Sequence, residues 1–328
     1  MVDHPLPAWS NDNSNLINKG IEKLVKKATV NASADIFLPL IKDATSLGRK
    51  LRSTLTLRCL HWKNLPKKGK EYNNLIDGLS AIEVLHSISC VIDDIIDGDT
   101  KRRGLPAFYI RKGLPEAQLI ALEGISLGSY LSEKQMSEKI KIAARLMYQG
   151  EAVDSFRFTD IKKIITKRKL DLLETYCLKT TPLFSIAHEF IGIAYKLPKK
   201  EISQLQKYGK ELGTFYQYAN DFHDSFSIPT AVRGSTEEKS RITLSMPLIL
   251  AIKENPKYYT KLIGEEVPRK ELEKIYNKMK KDGIEEKSKS LLNSTKENII
   301  TIYGKENKEL ESLLNIIGSA SFWSYKYK

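Results

Sequence analysis

A chain of 328 residues, 41% of them hydrophobic, can bury a substantial core, and no Pro/Gly/Ser-rich linker or low-complexity stretch divides it. One domain over residues 1–328 is therefore expected, with a short flexible N-terminus over about residues 1–14. The net charge is +13, from 53 Lys and Arg against 40 Asp and Glu. No helix-turn-helix, zinc-binding or RNA-recognition pattern accompanies it, so a solvated lysine-rich surface is expected and nucleic-acid binding is not.

Residues Met1 to Ser10 carry no basic stretch leading into an apolar core, and nowhere do about eighteen apolar residues run uninterrupted. The expectation is a cytoplasmic protein without integral membrane association. Helical periodicity recurs over Ile17–Val30, Leu75–Ile96, Glu138–Phe156, Ile202–Phe222, Leu272–Met279 and Leu310–Ile317, and no convincing run alternates as a strand. The fold class is all-α. Cys59, Cys90 and Cys177 lack metal-ligand spacing and read as reduced core residues. The final Trp323-Ser324-Tyr325-Lys326-Tyr327-Lys328 reads as a frayed tail.

Two acidic clusters carry the chemistry. Asp93-Asp94-x-x-Asp97 closes the apolar run Leu79 to Ile92, and Asn220-Asp221-x-x-Asp224 follows more than a hundred residues later. Acids three and four apart share one helical face. Carboxylates set against buried surface are costly unless a positive charge pairs with them, and two such faces turned together would hold hard cations. Mg²⁺ suits them, because it takes one or two carboxylates per ion and completes its shell with water and substrate phosphates. Asp93, Asp94, Asp97, Asn220, Asp221 and Asp224 are the candidate ligands. Just downstream, Arg102 and Arg103 stand beside a turn at Gly104, a pairing suited to bidentate capture of phosphate oxygens.

From about Leu47 to Pro247 the chain resembles the trans-isoprenyl diphosphate synthases, the polyprenyl synthetases that include farnesyl and geranylgeranyl diphosphate synthases. The family's D-D-x-x-D followed by R-R-G-x-P is intact as Asp93, Asp94, Asp97, Arg102, Arg103, Gly104 and Pro106. Its G-G-K-x-x-R-P reads Leu47-Gly48-Arg49-Lys50-Leu51-Arg52-Ser53, which keeps the cationic pair as Arg49 and Arg52. His86, seven residues before Asp93, matches a histidine that bacterial members use for isopentenyl diphosphate. The family's K-T and F-Q pairs match Lys179-Thr180 and Tyr216-Gln217. There are departures. Asn220 stands where Asp is usual, Glu151 replaces the Gln of G-Q-x-x-D in Gly150-Glu151-Ala152-Val153-Asp154, and Val232 to Thr236 lacks the usual lysine and aspartate, leaving Arg233, Lys239 or Arg241 as substitutes.

The resemblance implies an antiparallel helical bundle around a central cavity, a homodimer, and three Mg²⁺ ions with substrate bound. It implies a prenyltransferase joining isopentenyl diphosphate to an allylic diphosphate. Lys179 and Arg102 would meet the allylic diphosphate, Thr180 and Gln217 would border the reacting carbons, and Tyr216 and Arg233 would line the allylic side. Arg49, Arg52, His86 and Arg103 would hold isopentenyl diphosphate. The chain would grow along the helix ending at Asp93, past Ser89 or Ile88, Leu85 and Ala81. With no aromatic residue at Ile88 or Ser89, a product of twenty to twenty-five carbons is expected. Two alternatives stay open. Asn220 invites a class I terpene cyclase, although Asp224 and Ile228 do not fit the usual cyclase pattern, and the same departures invite a non-catalytic subunit of a heteromeric synthase.

Overall fold

The computed structural model describes residues 6–29, 33–46, 48–155, 172–227, 239–304 and 307–324. In chain order the elements are α1 (Trp9–Ala28), α2 (Ser33–Ser46), α3 (Leu51–Trp62), α4 (Gly69–Asp97), β1 (Lys101–Arg102), β2 (Leu105–Pro106), α5 (Phe108–Lys112) and α6 (Leu114–Ser126). Then come α7 (Lys134–Ser155), α8 (Leu172–Cys177), α9 (Thr181–Ala194), α10 (Lys199–Phe226), β3 (Lys239–Arg241), α11 (Met246–Glu254) and α12 (Pro256–Tyr259). The last are β4 (Glu266–Pro268), α13 (Arg269–Lys281), α14 (Ile284–Tyr303), α15 (Lys308–Ile317) and α16 (Ala320–Ser324). The protein is all-α, as its periodicity predicts, and each expected helical segment lies within a helix at its described residues except at Thr29, the extended C-cap of α1. Two short antiparallel ladders, β1 with β2 and β3 with β4, were not legible as alternation. Helix α1 starts at Trp9, so residues 9–14 are helical where a flexible tail was expected.

The described residues gather into two compact units. Leu6–Leu146 with Thr181–Lys210 form one, and Met147–Thr180 with Glu211–Lys328 form the other. In the first, α4 is the central helix and packs on α1, α6 and α9. By length and apolarity α4 could cross a membrane, yet 72% of that stretch is buried inside the protein, as befits a core helix. Leu75, Leu79, Ile82, Leu85 and Ile88 are fully enclosed. The helix stops where the sequence says it should. Gly98 adopts a left-handed φ of 76°, and the Asp99 amide donates to the Asp94 carbonyl at 2.9 Å.

The β1–β2 hairpin turns through Arg103 and Gly104, both with positive φ (52° and 79°). A two-residue turn of this kind matches the twist of the flanking strands but needs left-handed backbone at both positions, which glycine accepts freely and arginine only under strain. The turn folds Arg102 back toward the end of α4. In the second unit, α8, α11 and the later part of α10 surround one buried carboxylate, and α16 closes on α10 through Trp323. That tryptophan is buried and donates from Nε1 to the Ile317 carbonyl at 2.8 Å. The start of the supposed frayed tail is therefore docked, while residues 325–328 lie outside the described residues.

Candidate active site

Each unit carries one set of functional residues. In the first, the partly exposed face of α4 bears His86, Ser89, Cys90 and Asp93, with Asp97 exposed one turn on. Asp94 points inward and is 1% exposed. Arg102 bridges the pair, donating from Nη2 to Asp93 Oδ2 at 2.8 Å and from Nε to Asp94 Oδ1 at 2.6 Å. Burial pushes the Asp94 carboxyl up to about 6 against the pull of Arg102, so at neutral pH it is ionised and paired.

Of the cations expected for isopentenyl diphosphate, Arg52 and Arg103 act on His86. Burial, then Arg52, Arg103, Arg102 and Lys50, hold its pKa well below the ordinary value, and the imidazole is neutral at pH 7. Arg52 is 6% exposed, lies 4.9 Å from the Phe184 ring centroid, and its Nε has no hydrogen-bond partner among the described residues. A buried guanidinium with an unsatisfied donor is what an anion site looks like before its anion arrives. The first turn of α3, which carries Arg52, is held by Glu83, a residue the motif reading passed over. Its Oε1 accepts from the Ser53 amide at 3.0 Å, a carboxylate capping the N-terminus of α3. An isolated acid inside the apolar run Leu79 to Ile92 was the available signal. Lys50 has a left-handed φ of 49° and turns its ammonium back onto the Thr45 carbonyl.

The chain-length candidates separate by orientation. Ser89 shares the partly exposed face and donates to the His86 carbonyl at 2.7 Å. Ile88 and Leu85 are fully buried, and Ile88 packs so tightly on α6 that a Cβ at Gly124 would sit 2.4 Å from its Cγ1. Ser89 alone keeps the position of a wall residue on the Asp93 face. Cys59 and Cys177 are buried, whereas Cys90 is half-buried, its sulfur 3.8 Å from His86 Nδ1.

The second unit is organised by Asp221, which is 3% exposed. Its Oδ1 accepts from Tyr176 Oη at 3.1 Å, from Gln217 Nε2 at 2.8 Å and from Asn220 Nδ2 at 3.4 Å, and its Oδ2 accepts from the Met246 amide at 2.8 Å. Both oxygens accept from protein donors, so in this structure Asp221 serves as an anchor of the second unit. Burial raises it to about 6 even with Lys179 nearby. Thr180 Oγ1 donates to Gln217 Oε1 at 2.6 Å, which joins the two expected catalytic residues to the same network. Lys179 Nζ lies 4.5 Å above the Tyr176 ring. The turn carrying Lys179 comes so close to α7 that a Cβ at Gly150 would lie 2.3 Å from the Lys179 nitrogen. Asn220 donates to Asp224 at 3.2 Å as well as to Asp221. Tyr216 stacks on Trp323 at 4.9 Å between centroids. Arg233 lies outside the described residues, as do the side chains of Asp154 and Lys239, while Arg241 belongs to the β3–β4 ladder.

Among the described residues no three His, Cys, Asp or Glu side chains form a metal-binding group. The donors offered, Asp93 and Asp97 in one unit and Asn220 and Asp224 in the other, are all hard oxygens.

Acid clusters on an all-helical fold, a neutral histidine among cations and a lysine near a tyrosine ring define a helical protein with groups suited to anions and hard cations. The polyprenyl synthetase family model matches residues 36–279, and the chain belongs to that family. It is similar to a geranylgeranyl diphosphate synthase of Saccharolobus solfataricus, 25% identical over 242 residues that cover 67% of this chain and 66% of that protein. A geranylgeranyl diphosphate synthase of Sulfolobus acidocaldarius is 30% identical over 156 residues, covering 43% of this chain and 45% of that one. The chain thus spans less than two thirds of either relative. In fold it is similar to a solved geranylgeranyl pyrophosphate synthetase of Geoglobus acetivorans, with a TM-score of 0.69 at 19% identity over 94% of this chain and 99% of the other.

Proposed function

We propose that this protein is a trans-prenyltransferase that condenses isopentenyl diphosphate with an allylic diphosphate by head-to-tail elongation. The observation that carries the reading is the cation cluster of Arg52, Arg102, Arg103 and Lys50 around a neutral His86, beside an intact first acidic motif. A cyclase, which handles one diphosphate, has no use for that second anion site.

The residues divide the work. Arg49, Arg52 and Arg103 hold the isopentenyl diphosphate, and His86, uncharged, donates or accepts a hydrogen bond without adding to the local charge. Lys179 and Arg102 neutralise the allylic diphosphate as it leaves, and fixed positive groups in a water-poor site stabilise that developing charge far more than water would. Mg²⁺ would supply further charge neutralisation to the leaving group, with Asp93 and Asp97 the donors available in one unit and Asn220 and Asp224 those in the other. Orienting the isopentenyl double bond toward the allylic cation turns a bimolecular encounter into a positioned one. Loss of a proton then restores an alkene, and exclusion of water protects the cation meanwhile.

Three further elements of the reading rest on separate support. Relatives named as geranylgeranyl diphosphate synthases, and one named geranylfarnesyl diphosphate synthase from Natronomonas pharaonis, support a product of twenty to twenty-five carbons. Leu119, Leu122 and Ile125 stand exposed three residues apart on α6, with Leu122 at 69%, and such a stripe supports a homodimer through this face. Three free thiols support a cytoplasmic location. The test is to incubate the purified protein with Mg²⁺, isopentenyl diphosphate and each allylic diphosphate in turn and identify the organic product. A longer diphosphate is expected. A cyclic hydrocarbon would establish a cyclase, and no product would favour a non-catalytic subunit.

A further inference from the structure

We propose that Glu83 and Ser53 act together as positioning residues for isopentenyl diphosphate, working through Arg52; the proposal rests on the prenyltransferase reading above. The first amides of a helix have no acceptor within it. In α3 the first helical bond runs from the Thr54 amide to the Lys50 carbonyl at 2.8 Å, so the Ser53 amide takes its acceptor from outside. That acceptor is Glu83 Oε1 at 3.0 Å, while the Ser53 hydroxyl donates to the Leu79 carbonyl at 3.3 Å. Leu79 and Glu83 are one turn apart on α4, so the two bonds clamp the first turn of α3 onto one face of that helix. Ser53 is fully buried and Glu83 is 1% exposed. A carboxylate at that depth is costly unless positive charge faces it, and the N-terminus of α3 with the buried Lys50 ammonium supplies that charge. Arg52 is the residue next to this clamp. Its carbonyl accepts from Thr56 Oγ1 at 2.9 Å, its guanidinium lies over the Phe184 ring, and its Nε has no hydrogen-bond partner among the described residues. With the backbone held on both sides, the guanidinium fork is presented in one place and less ordering is left for the moment the anion arrives. Where the family motif closes with proline, which has no amide hydrogen, this chain has Ser53, so the bond to Glu83 is one the usual residue could not make.

The test removes the clamp and leaves Arg52 in place. Glu83→Met keeps a side chain of similar size without the acceptor, and the apparent KM for isopentenyl diphosphate should rise roughly fivefold, the size of one lost helix cap. The KM for the allylic diphosphate should move by less than about twofold. Glu83→Gln keeps an oxygen for the Ser53 amide and should restore most of the isopentenyl diphosphate KM. In an Arg52→Met background, Glu83→Met should add almost nothing, as expected when one residue acts through another. Thermal melts of every variant accompany the kinetics, and if Glu83→Met fails to fold, Ser53→Pro, which deletes the same hydrogen bond from the donor side, takes its place with the same result expected. An unchanged KM for isopentenyl diphosphate, equal rises in both KM values, or additivity with Arg52→Met would overturn the positioning role while leaving the enzyme a prenyltransferase. A wild type that yields no elongated diphosphate would overturn the functional reading and this role together.

Discussion

Asp93, the first residue of one acidic motif, and Asp221, the second residue of the other, are held differently, and the structure predicts opposite consequences for removing them. Asp221 is 3% exposed and accepts from Tyr176, Gln217 and the Met246 amide at 2.8 to 3.1 Å, with Asn220 more distant. In Asp221→Ala these donors lose their acceptor in a buried setting, at about 1–3 kcal/mol each, and relief of the desolvated charge offsets part of that total. A net loss of about 3 kcal/mol is expected, a large share of a typical domain's stability of roughly 5–15 kcal/mol. Asp93 has a side chain 34% exposed and one ion pair, with Arg102. Its truncation should cost at most about 1 kcal/mol of stability, as for other solvent-accessible pairs. Turnover should respond in the reverse order, since loss of a transition-state charge clamp commonly costs about 3 kcal/mol, roughly a hundredfold. Denaturant melts and steady-state turnover on the two variants decide the matter. An Asp93→Ala protein with near-normal turnover, or an Asp221→Ala protein as stable as wild type, would refute the division of roles.

If Asn220 braces Asp224 in place of a charged ligand, Asn220→Asp should lower the Mg²⁺ concentration for half-maximal rate and lower the melting temperature of the metal-free protein, because three carboxylates then share one helical face; an unchanged Mg²⁺ requirement would count against this. Arg52→Ala should raise mainly the KM for isopentenyl diphosphate and Lys179→Ala mainly that for the allylic substrate, whereas equal effects on both would indicate a single diphosphate site. Ser89→Phe should shorten the product toward farnesyl diphosphate, as read by chromatography of the dephosphorylated alcohols, and unaltered length would place the stop elsewhere. For Asp94 and Asp221 the folded pKa of about 6 exceeds the usual carboxylate value, so the folded state binds more protons between roughly pH 4 and 6. Their contribution to stability is complete below that window and is lost as pH rises through about 6, and melts of the metal-free protein should show a smaller decline from pH 5 to 7.5 in Asp221→Asn than in wild type.

The parts of the site that follow a helical or turn rule could be read in advance. Asp93 and Asp97 sit one turn apart on an exposed edge because their spacing demands it, and the chain turns at Gly104 because glycine accepts left-handed backbone freely. Rotation of a helix about its axis is not written in a motif. D-D-x-x-D and N-D-x-x-D do not say which acid faces inward, so Asp94 and Asp221 were counted with the ligands although one is bound to Arg102 and the other wrapped in neutral donors. Tyr176 was invisible for a similar reason, since its meaning comes from Asp221, 45 residues away. Trp323 read as tail because a short terminal helix has too few turns to show a periodicity, and its burial against Tyr216 arises only from tertiary packing.

The two acid clusters also differ in how they are kept ready. In the first, the charge balancing Asp93 and Asp94 is a guanidinium, and the partly exposed Asp93 end of that bridge can be surrendered to an incoming cation while the buried Asp94 end stays fixed. Were Asp93 to bind a cation, Arg102 would keep its anchor on Asp94. In the second cluster the donors around Asp221 are a phenol, two amides and a backbone N–H, none of which carries charge. Exchange there would strip a buried carboxylate of its partners, whereas Asp224 accepts from the Asn220 amide at 3.2 Å. The first cluster is thus built to switch partners and the second to stay fixed around Asp221. Asn220 therefore reads as part of the fixed frame as much as a weakened ligand, which is why its replacement by Asp is expected to trade metal-free stability for metal affinity.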